Sequence, residues 1–144
     1  MMQILQKLTT DQIRGEVQRF WNVFTAKNGP ALTEFYGPES SVFSSVSGRS
    51  EPGRLAAARR QREYFHTLSQ LRATVGMIDV VLLCDGSAAV ASYTFQFHAT
   101  KVGSNISQKT EENITNGRAS QVFAYDADGK LRIVHEHLSS VDKG

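Results

Sequence analysis

The stretch from Asn116 to Ser139 (NGRASQVFAYDADGKLRIVHEHLS) holds two apolar segments on either side of a turn. Thr115–Tyr125 and Lys130–Ser139 each have the length and the β-branched and aromatic content of a β-strand. Between them, Asp126–Gly129 is typical of a tight turn, because glycine readily adopts the positive φ that such turns need. The stretch therefore predicts an antiparallel hairpin near the end of the chain.

More strand patterns precede this hairpin. Ala73–Cys84 is apolar and β-branched, and the dipeptide Asp85-Gly86 that follows it is a strong hairpin signal. Ala88–Thr100 then alternates aromatic with polar residues, as a half-buried strand does. The polar stretch Lys101–Glu112 is expected to be a wide loop that leads into the last hairpin.

The first half of the chain is mainly helical in pattern. Thr9 and Gln12 have capping-box spacing, and the apolar stripe after them predicts a helix over residues 10–27. A short helix, a short strand at Ser41–Val46 and a second long helix at Arg54–Leu68 are expected to follow. Helices that precede a run of long antiparallel strands are typical of the α+β class.

Length and composition exclude several classes of protein. The chain has 144 residues, which predicts one domain over residues 1–144, and its formal net charge of +2 is too small to indicate a nucleic-acid partner. The lone Cys84 supports neither a disulfide framework nor a cysteine-based zinc site. No apolar run approaches the ~20 residues of a membrane span, and residues 1–10 show no secretory signal. A cytoplasmic location without membrane attachment is therefore expected.

The closing stretch resembles the end of SnoaL-like domains in the nuclear transport factor 2-like superfamily. The similarity rests on the arginine-containing strand 116–123, the Asp128-Gly129 turn and the strand that ends in IVHEHLS, and it extends to FWNVF at 20–24. It is greatest to the branch that contains the calcium/calmodulin-dependent kinase II association domain. The resemblance implies a cystatin-like cone, in which a curved, mixed, mostly antiparallel sheet wraps a long helix, and a homodimer formed through the outer sheet face. Because the superfamily includes isomerases, cyclases, dehydratases and association domains, it implies no single reaction.

Two histidines are the candidate catalytic residues. Strand alternation places His135 and His137 on one face with Leu131 and Ile133, and we expect this face to line the cone. Either imidazole could carry a proton near neutral pH, and a structural role in a polar core layer is the alternative for both. No third ligand lies on that face by local spacing, so a metal site is not expected.

The candidate ligand-binding residues are one arginine, one serine and five aromatic residues. Arg118 and Ser120 are expected to face inward, because Val122 on the same face looks core-directed. A buried arginine needs an anionic or hydrogen-bonding partner, either a ligand carboxylate or an internal ion pair. The kinase-association branch places arginines in this pocket, which implies the same position for Arg118. The aromatic candidates, which could equally be core residues, are Tyr36, Phe43, Tyr64, Tyr93 and Phe95.

Alternation places Glu136 on the face opposite His135 and His137. No Asp or Glu falls convincingly on an inward strand face, and Asp79, the nearest candidate, has an ambiguous face, so the acid and base of a ketosteroid isomerase-like site are not found. No dinucleotide or phosphate motif is present, and no cofactor is expected. The pattern favours a pocket protein for a small, ring-shaped or carboxylate-bearing ligand. Two alternatives stay open: an enzyme that uses His137 or His135 for isomerisation, cyclisation or hydration, and a homo-oligomeric association module without turnover.

A homodimer is also expected from the residues of the last strands. Alternation puts four apolar side chains on the outer face of the sheet: Phe123, Tyr125, Val134 and Leu138. Such a face needs cover, which a second copy of the chain supplies.

Overall fold

The computed structural model describes residues 7–44, 49–101 and 111–140, and only the backbone of residues 111–113. The helices are α1 (Thr10–Thr25), α2 (Gly29–Glu34) and α3 (Gly53–Glu63), with short 3-10 turns at Phe65–Thr67 and Cys84–Gly86. The strands are β1 (Tyr36–Ser44), β2 (Glu51–Pro52), β3 (Leu68–Val75), β4 (Asp79–Leu83), β5 (Ala88–Lys101), β6 (Glu111–Tyr125) and β7 (Leu131–Ser140). No described helix is long and apolar enough to cross a membrane.

The seven strands form one sheet in the order β2-β1-β7-β6-β5-β3, and β4 pairs with β5 beside β3. Only the pairing of β1 with β7 is parallel among these strands, so the sheet is mixed and mostly antiparallel, as predicted. Helix α1 packs its apolar stripe across the inner face of the sheet. Its buried residues are those that the sequence pattern indicated, Ile13, Val17, Phe20, Trp21 and Phe24.

Local sequence signals account for the start of α1 and for two turns. The Thr9 hydroxyl accepts a hydrogen bond from the backbone N–H of Gln12, 3.1 Å away, which confirms the predicted cap. The Asp85-Gly86 turn is confirmed, and both residues have positive φ. The second predicted turn is also confirmed, because the Asp126 N–H donates to the Lys130 carbonyl and Gly129 has φ 77°.

Several predicted boundaries differ from the structure. The predicted helix at Arg54–Leu68 ends at Glu63, because Phe65 is drawn into the core and Leu68 already pairs with β5. The predicted strand Ala73–Cys84 is two strands, β3 and β4, that share β5 as neighbour. The first strand begins earlier than expected, at Tyr36. The centre of the predicted Lys101–Glu112 loop, residues 102–110, lies outside the described residues.

A β-bulge in the last hairpin decides which residues face the interior. Val122 pairs with His135, whereas the next residue, Phe123, pairs with Ile133, so Val134 has no partner in the register. The extra residue inverts the alternation of β7 beyond it. The expectation that His135 and His137 face the interior with Ile133 is therefore wrong, and Glu136 is the residue that points inward.

In the neighbouring strand β6, the residues that face the interior are also the opposite set from those predicted. Gln121 is fully buried, whereas Arg118 and Ser120 are exposed on the outer face, so their expected inward position is wrong. Val122, which suggested that position, is only half-buried on the same outer face. Phe123 is buried, so it is not part of the apolar outer face that was expected to favour a dimer.

Leu138 was also expected on the outer face, but it lies inside, where it packs against the core. Val134 remains 38% exposed, and Tyr125 is half-buried. The homodimer itself stays a prediction.

Candidate functional site

A cavity of about 590 Å³ opens where β1, β5 and β7 end, between α1, α3 and the inner sheet face. Its volume lies in the range of small-molecule sites. Its apolar wall consists of Trp21, Phe24, Tyr64, Phe95, Phe97 and Leu138. Its polar lining consists of Ser44, Arg59, Arg60, Glu63, Lys101, Thr115, Ser139 and Ser140.

The aromatic wall is held in a fixed arrangement. The ring of Phe95 lies 4.7 Å from that of Trp21 and stacks on Phe97 at 5.9 Å with an interplanar angle of 5°. Gly117 on β6 pairs with Phe95 on β5. It allows this ring position, because a Cβ at Gly117 would lie 2.2 Å from the Phe95 ring. The flat rings present a surface suited to another flat ring.

A fully buried carboxylate lies behind the cavity wall. Glu136 has no exposed surface, and it accepts hydrogen bonds from the Tyr36 hydroxyl at 2.8 Å and from Gln121 Nε2 at 2.7 Å. Arg60 Nη2 donates to the same carboxylate at 3.2 Å and Nη1 donates to the Tyr36 hydroxyl at 2.9 Å. Since every partner donates, both carboxylate oxygens of Glu136 serve as acceptors.

The network continues from Gln121 back to the cavity wall. The Tyr93 hydroxyl donates to Gln121 Oε1 at 2.7 Å and accepts from Trp21 Nε1 at 2.9 Å. The hydrogen bonds thus run from the ring of Trp21 to the guanidinium of Arg60, both of which line the cavity. A buried polar network in which each member has a partner fixes the orientation of its side chains.

The surroundings of Tyr36, Tyr93 and Arg60 raise the pKa of each group. Burial raises the pKa of Tyr36 well above its usual value, and burial likewise raises the pKa of Tyr93. Burial lowers the pKa of Arg60, but Tyr36 and Glu136 more than offset this effect, so that pKa is raised overall. At neutral pH both phenols are therefore protonated donors and Arg60 is a cation.

The structure brings some of the predicted ligand-binding residues to the cavity. Tyr64 and Phe95 line it, while Tyr36 and Tyr93 lie behind the wall in the buried network. Burial also raises the pKa of Tyr64, so its hydroxyl is protonated at neutral pH.

The remaining predicted site residues lie on the outer face of the sheet. Phe43 is 41% exposed and stacks on the ring of His137 at 5.7 Å. His135 Nδ1 is 2.7 Å from the hydroxyl of Ser41, and Arg118 and Ser120 lie beside them on β6. These five residues, His135, His137, Phe43, Arg118 and Ser120, cannot line a pocket inside the cone. Among the described residues, no group of three or more His, Cys, Asp or Glu side chains is placed to hold a metal ion.

The sequence analysis missed Glu136, Gln121 and Arg60. Glu136 was hidden by the bulge, and Gln121 by the expectation that its neighbour Val122 faces the core. Arg60 carried a usable signal, because it follows the buried Ala56 by four residues and Ala57 by three, which places it on the inner face of α3.

Solved structures similar to this one span almost the whole chain. A candidate calcium/calmodulin-dependent protein kinase II association domain from Xanthomonas campestris is 18% identical, with 100% of both chains covered and a TM-score of 0.72. A candidate scytalone dehydratase from Novosphingobium aromaticivorans is 11% identical, with 90% of this chain and 82% of that chain covered and a TM-score of 0.74. A protein with a cystatin-like fold from Caulobacter vibrioides is 16% identical, with 93% and 90% covered and a TM-score of 0.68.

At such low identities these similarities establish the fold alone, a cystatin-like fold of the nuclear transport factor 2-like type, as the resemblance implied. No curated protein matches the chain. The model of the SnoaL-like domain family matches residues 13–143, a range that includes most of α1, the cavity wall and the whole buried network. The chain therefore belongs to the SnoaL-like domain family.

Proposed function

We propose that this chain binds a small, ring-shaped ligand in the cavity at the mouth of the sheet. The observation that carries the proposal is the cavity of about 590 Å³, with aromatic walls and one guanidinium, that of Arg60, fixed at its inner side. Apolar walls with a few fixed polar groups are typical of small-molecule sites. Some members of the family are dehydratases or isomerases, which act on small molecules.

The ligand would lie against the rings of Trp21, Phe95 and Phe97. The stacked pair of phenylalanine rings offers a flat surface, and aromatic rings contribute both apolar area and a preferred stacking geometry. The N–H groups of Arg60 would bind an acceptor oxygen of the ligand. A carboxylate-bearing ligand was expected to use Arg118, which lies on the outer face. Among the described residues, the cations that line the cavity are Arg59, Arg60 and Lys101.

The first test uses the only tryptophan of the chain, Trp21, which lies in the cavity wall. Flat aromatic compounds should quench its fluorescence saturably. Thr115 lines the cavity, so Thr115→Phe should fill part of it and weaken binding at least tenfold, about 1.4 kcal/mol. Thr74→Phe, at an exposed position of β3, is the matched control and should leave binding unchanged. Equal affinities in the two variants, or no binding by the wild type, would overturn the proposal.

An acid–base enzyme that uses His137 or His135 is the weaker alternative. Both rings lie on the outer face, and no histidine is present among the described residues that line the cavity. A His137→Ala variant should therefore bind the same aromatic probes with unchanged affinity in the fluorescence titration. A loss of affinity in this variant would support the alternative.

We also propose a homodimer through the outer face of the sheet. Exposed apolar side chains on that face, Phe43, Val81 and Val134, support it, because a second copy would cover them. Val134→Glu, at one of these apolar positions, should weaken the dimer at least tenfold, because burying a carboxylate against a second copy is unfavourable. Ser69→Glu on β3 is the control. Size-exclusion chromatography with light scattering measures both variants, and a monomeric wild type contradicts the proposal.

A further inference from the structure

Arg60 is the side chain that joins the cavity to the buried network. Arg60 lines the cavity, although only 13% of its side chain is exposed. It donates to the carboxylate of Glu136, which has no exposed surface, and to the hydroxyl of Tyr36. The cation that a ligand meets on the inner side of the cavity is thus already in contact with an anion.

The other cations that line the cavity are likewise either paired with carboxylates or exposed to solvent. Arg59 pairs with Glu51 at 2.5 Å and lies 3.9 Å from Glu63, so two carboxylates accompany it. Lys101 is exposed at the rim, where water and salt screen its charge. Among the described residues of the lining, each arginine therefore has a carboxylate partner.

We propose that Glu136 determines the charge selectivity of the cavity, so that the site binds neutral ring compounds with an acceptor oxygen, such as aryl ketones, in preference to carboxylates of the same shape. The inference rests on the proposed function. Glu136 does not itself line the cavity, and it acts through Arg60 as a positioning residue.

The physical reason is the balance between desolvation and attraction. A ligand carboxylate loses its water shell in an apolar cavity, and only an uncompensated cation offsets that loss. Here the incoming anion would share Arg60 with Glu136, and two carboxylates that share one site repel each other. A ketone oxygen accepts an N–H of Arg60 with a much smaller desolvation penalty.

The experiment compares two probes of matched shape, 2-acetylnaphthalene and 2-naphthoate, by titration followed through the fluorescence of Trp21. The wild type should bind the ketone at least tenfold more tightly than the carboxylate. Equal or tighter binding of the naphthoate overturns the inference while the proposed function stands. Binding of neither probe overturns the proposed function, and the inference with it.

Glu136→Gln then tests the residue itself, since glutamine keeps the shape and removes the charge. With Arg60 uncompensated, the preference for the ketone should fall at least tenfold. Glu39→Gln, which removes a carboxylate at an exposed position of β1 outside the cavity lining, is the control and should retain the wild-type preference. An unchanged preference in a folded Glu136→Gln variant, checked by circular dichroism, overturns the inference. If that variant does not fold, the wild-type ratio of the two probes decides the outcome.

Discussion

Glu136→Ala is expected to lower the free energy of unfolding by about 3–5 kcal/mol. The substitution leaves the guanidinium of Arg60 in a buried position without its anion, and it removes the acceptor of the Tyr36 and Gln121 hydrogen bonds. Removing one partner of a buried pair is much more destabilising than the net contribution of the pair, because the remaining charge has lost its water as well.

Equilibrium denaturation in urea measures this effect, with Glu39→Ala as the control. Glu39 is exposed on β1, so its replacement should change the free energy of unfolding by no more than about 0.5 kcal/mol. Glu136→Gln should fall between the two, because the amide oxygen can still accept from Tyr36. Similar values for Glu136→Ala and Glu39→Ala would contradict the role given to the buried network.

Gly117→Ala should destabilise the protein by about 1–3 kcal/mol, because its Cβ would overlap the ring of Phe95. The added atom would lie 2.2 Å from the nearest ring carbon, so the ring must leave its position 4.7 Å from Trp21. The emission of Trp21 should shift with it, and the affinity for aromatic probes should fall. Thermal denaturation and tryptophan fluorescence measure the two effects on the same sample.

Two further variants isolate the overlap with Phe95. Gly15→Ala, in α1, is the control, because a Cβ at Gly15 meets nothing within 4 Å; alanine there should stabilise the helix by about 0.5–1 kcal/mol. Adding Phe95→Leu to Gly117→Ala should recover part of the loss, so the double variant is more stable than the sum of the single changes predicts. Additive effects would show that the ring and the glycine are independent.

The sequence predicts the elements well wherever a local signal fixes them. The Thr9 cap and the apolar stripe of α1 locate the first helix, and the Asp85-Gly86 and Asp126–Gly129 turns locate two hairpins. These features depend on residues close together in the chain, so a single sequence contains the information. The end of α3 depends on tertiary contacts of Phe65 instead, and its position was not predicted.

The candidate site was predicted less well, in part because β7 contains one extra residue. Period-two alternation assumes an unbroken register, whereas the pairing of β6 with β7 shifts at Val134. The shift changes the faces of His135, Glu136 and His137 together, so the missed bulge accounts for the misplaced histidines and for the missed carboxylate.

The wrong faces of Arg118 and Ser120 came instead from the expectation that Val122 faces the core. Tyr64 and Phe95 lie outside that hairpin, and both line the cavity.

The same bulge gives β7 one residue more than its pairing with β6 requires. Deleting Val134 would restore regular pairing with every face unchanged, because Ile133 would stay opposite Phe123, His135 opposite Val122 and Glu136 opposite Gln121. If the full-length strand instead paired without the bulge, its two imidazoles would turn into the core and the Glu136 carboxylate would turn to solvent. In this strand, the register determines the chemistry of the core as much as the identity of the residues does.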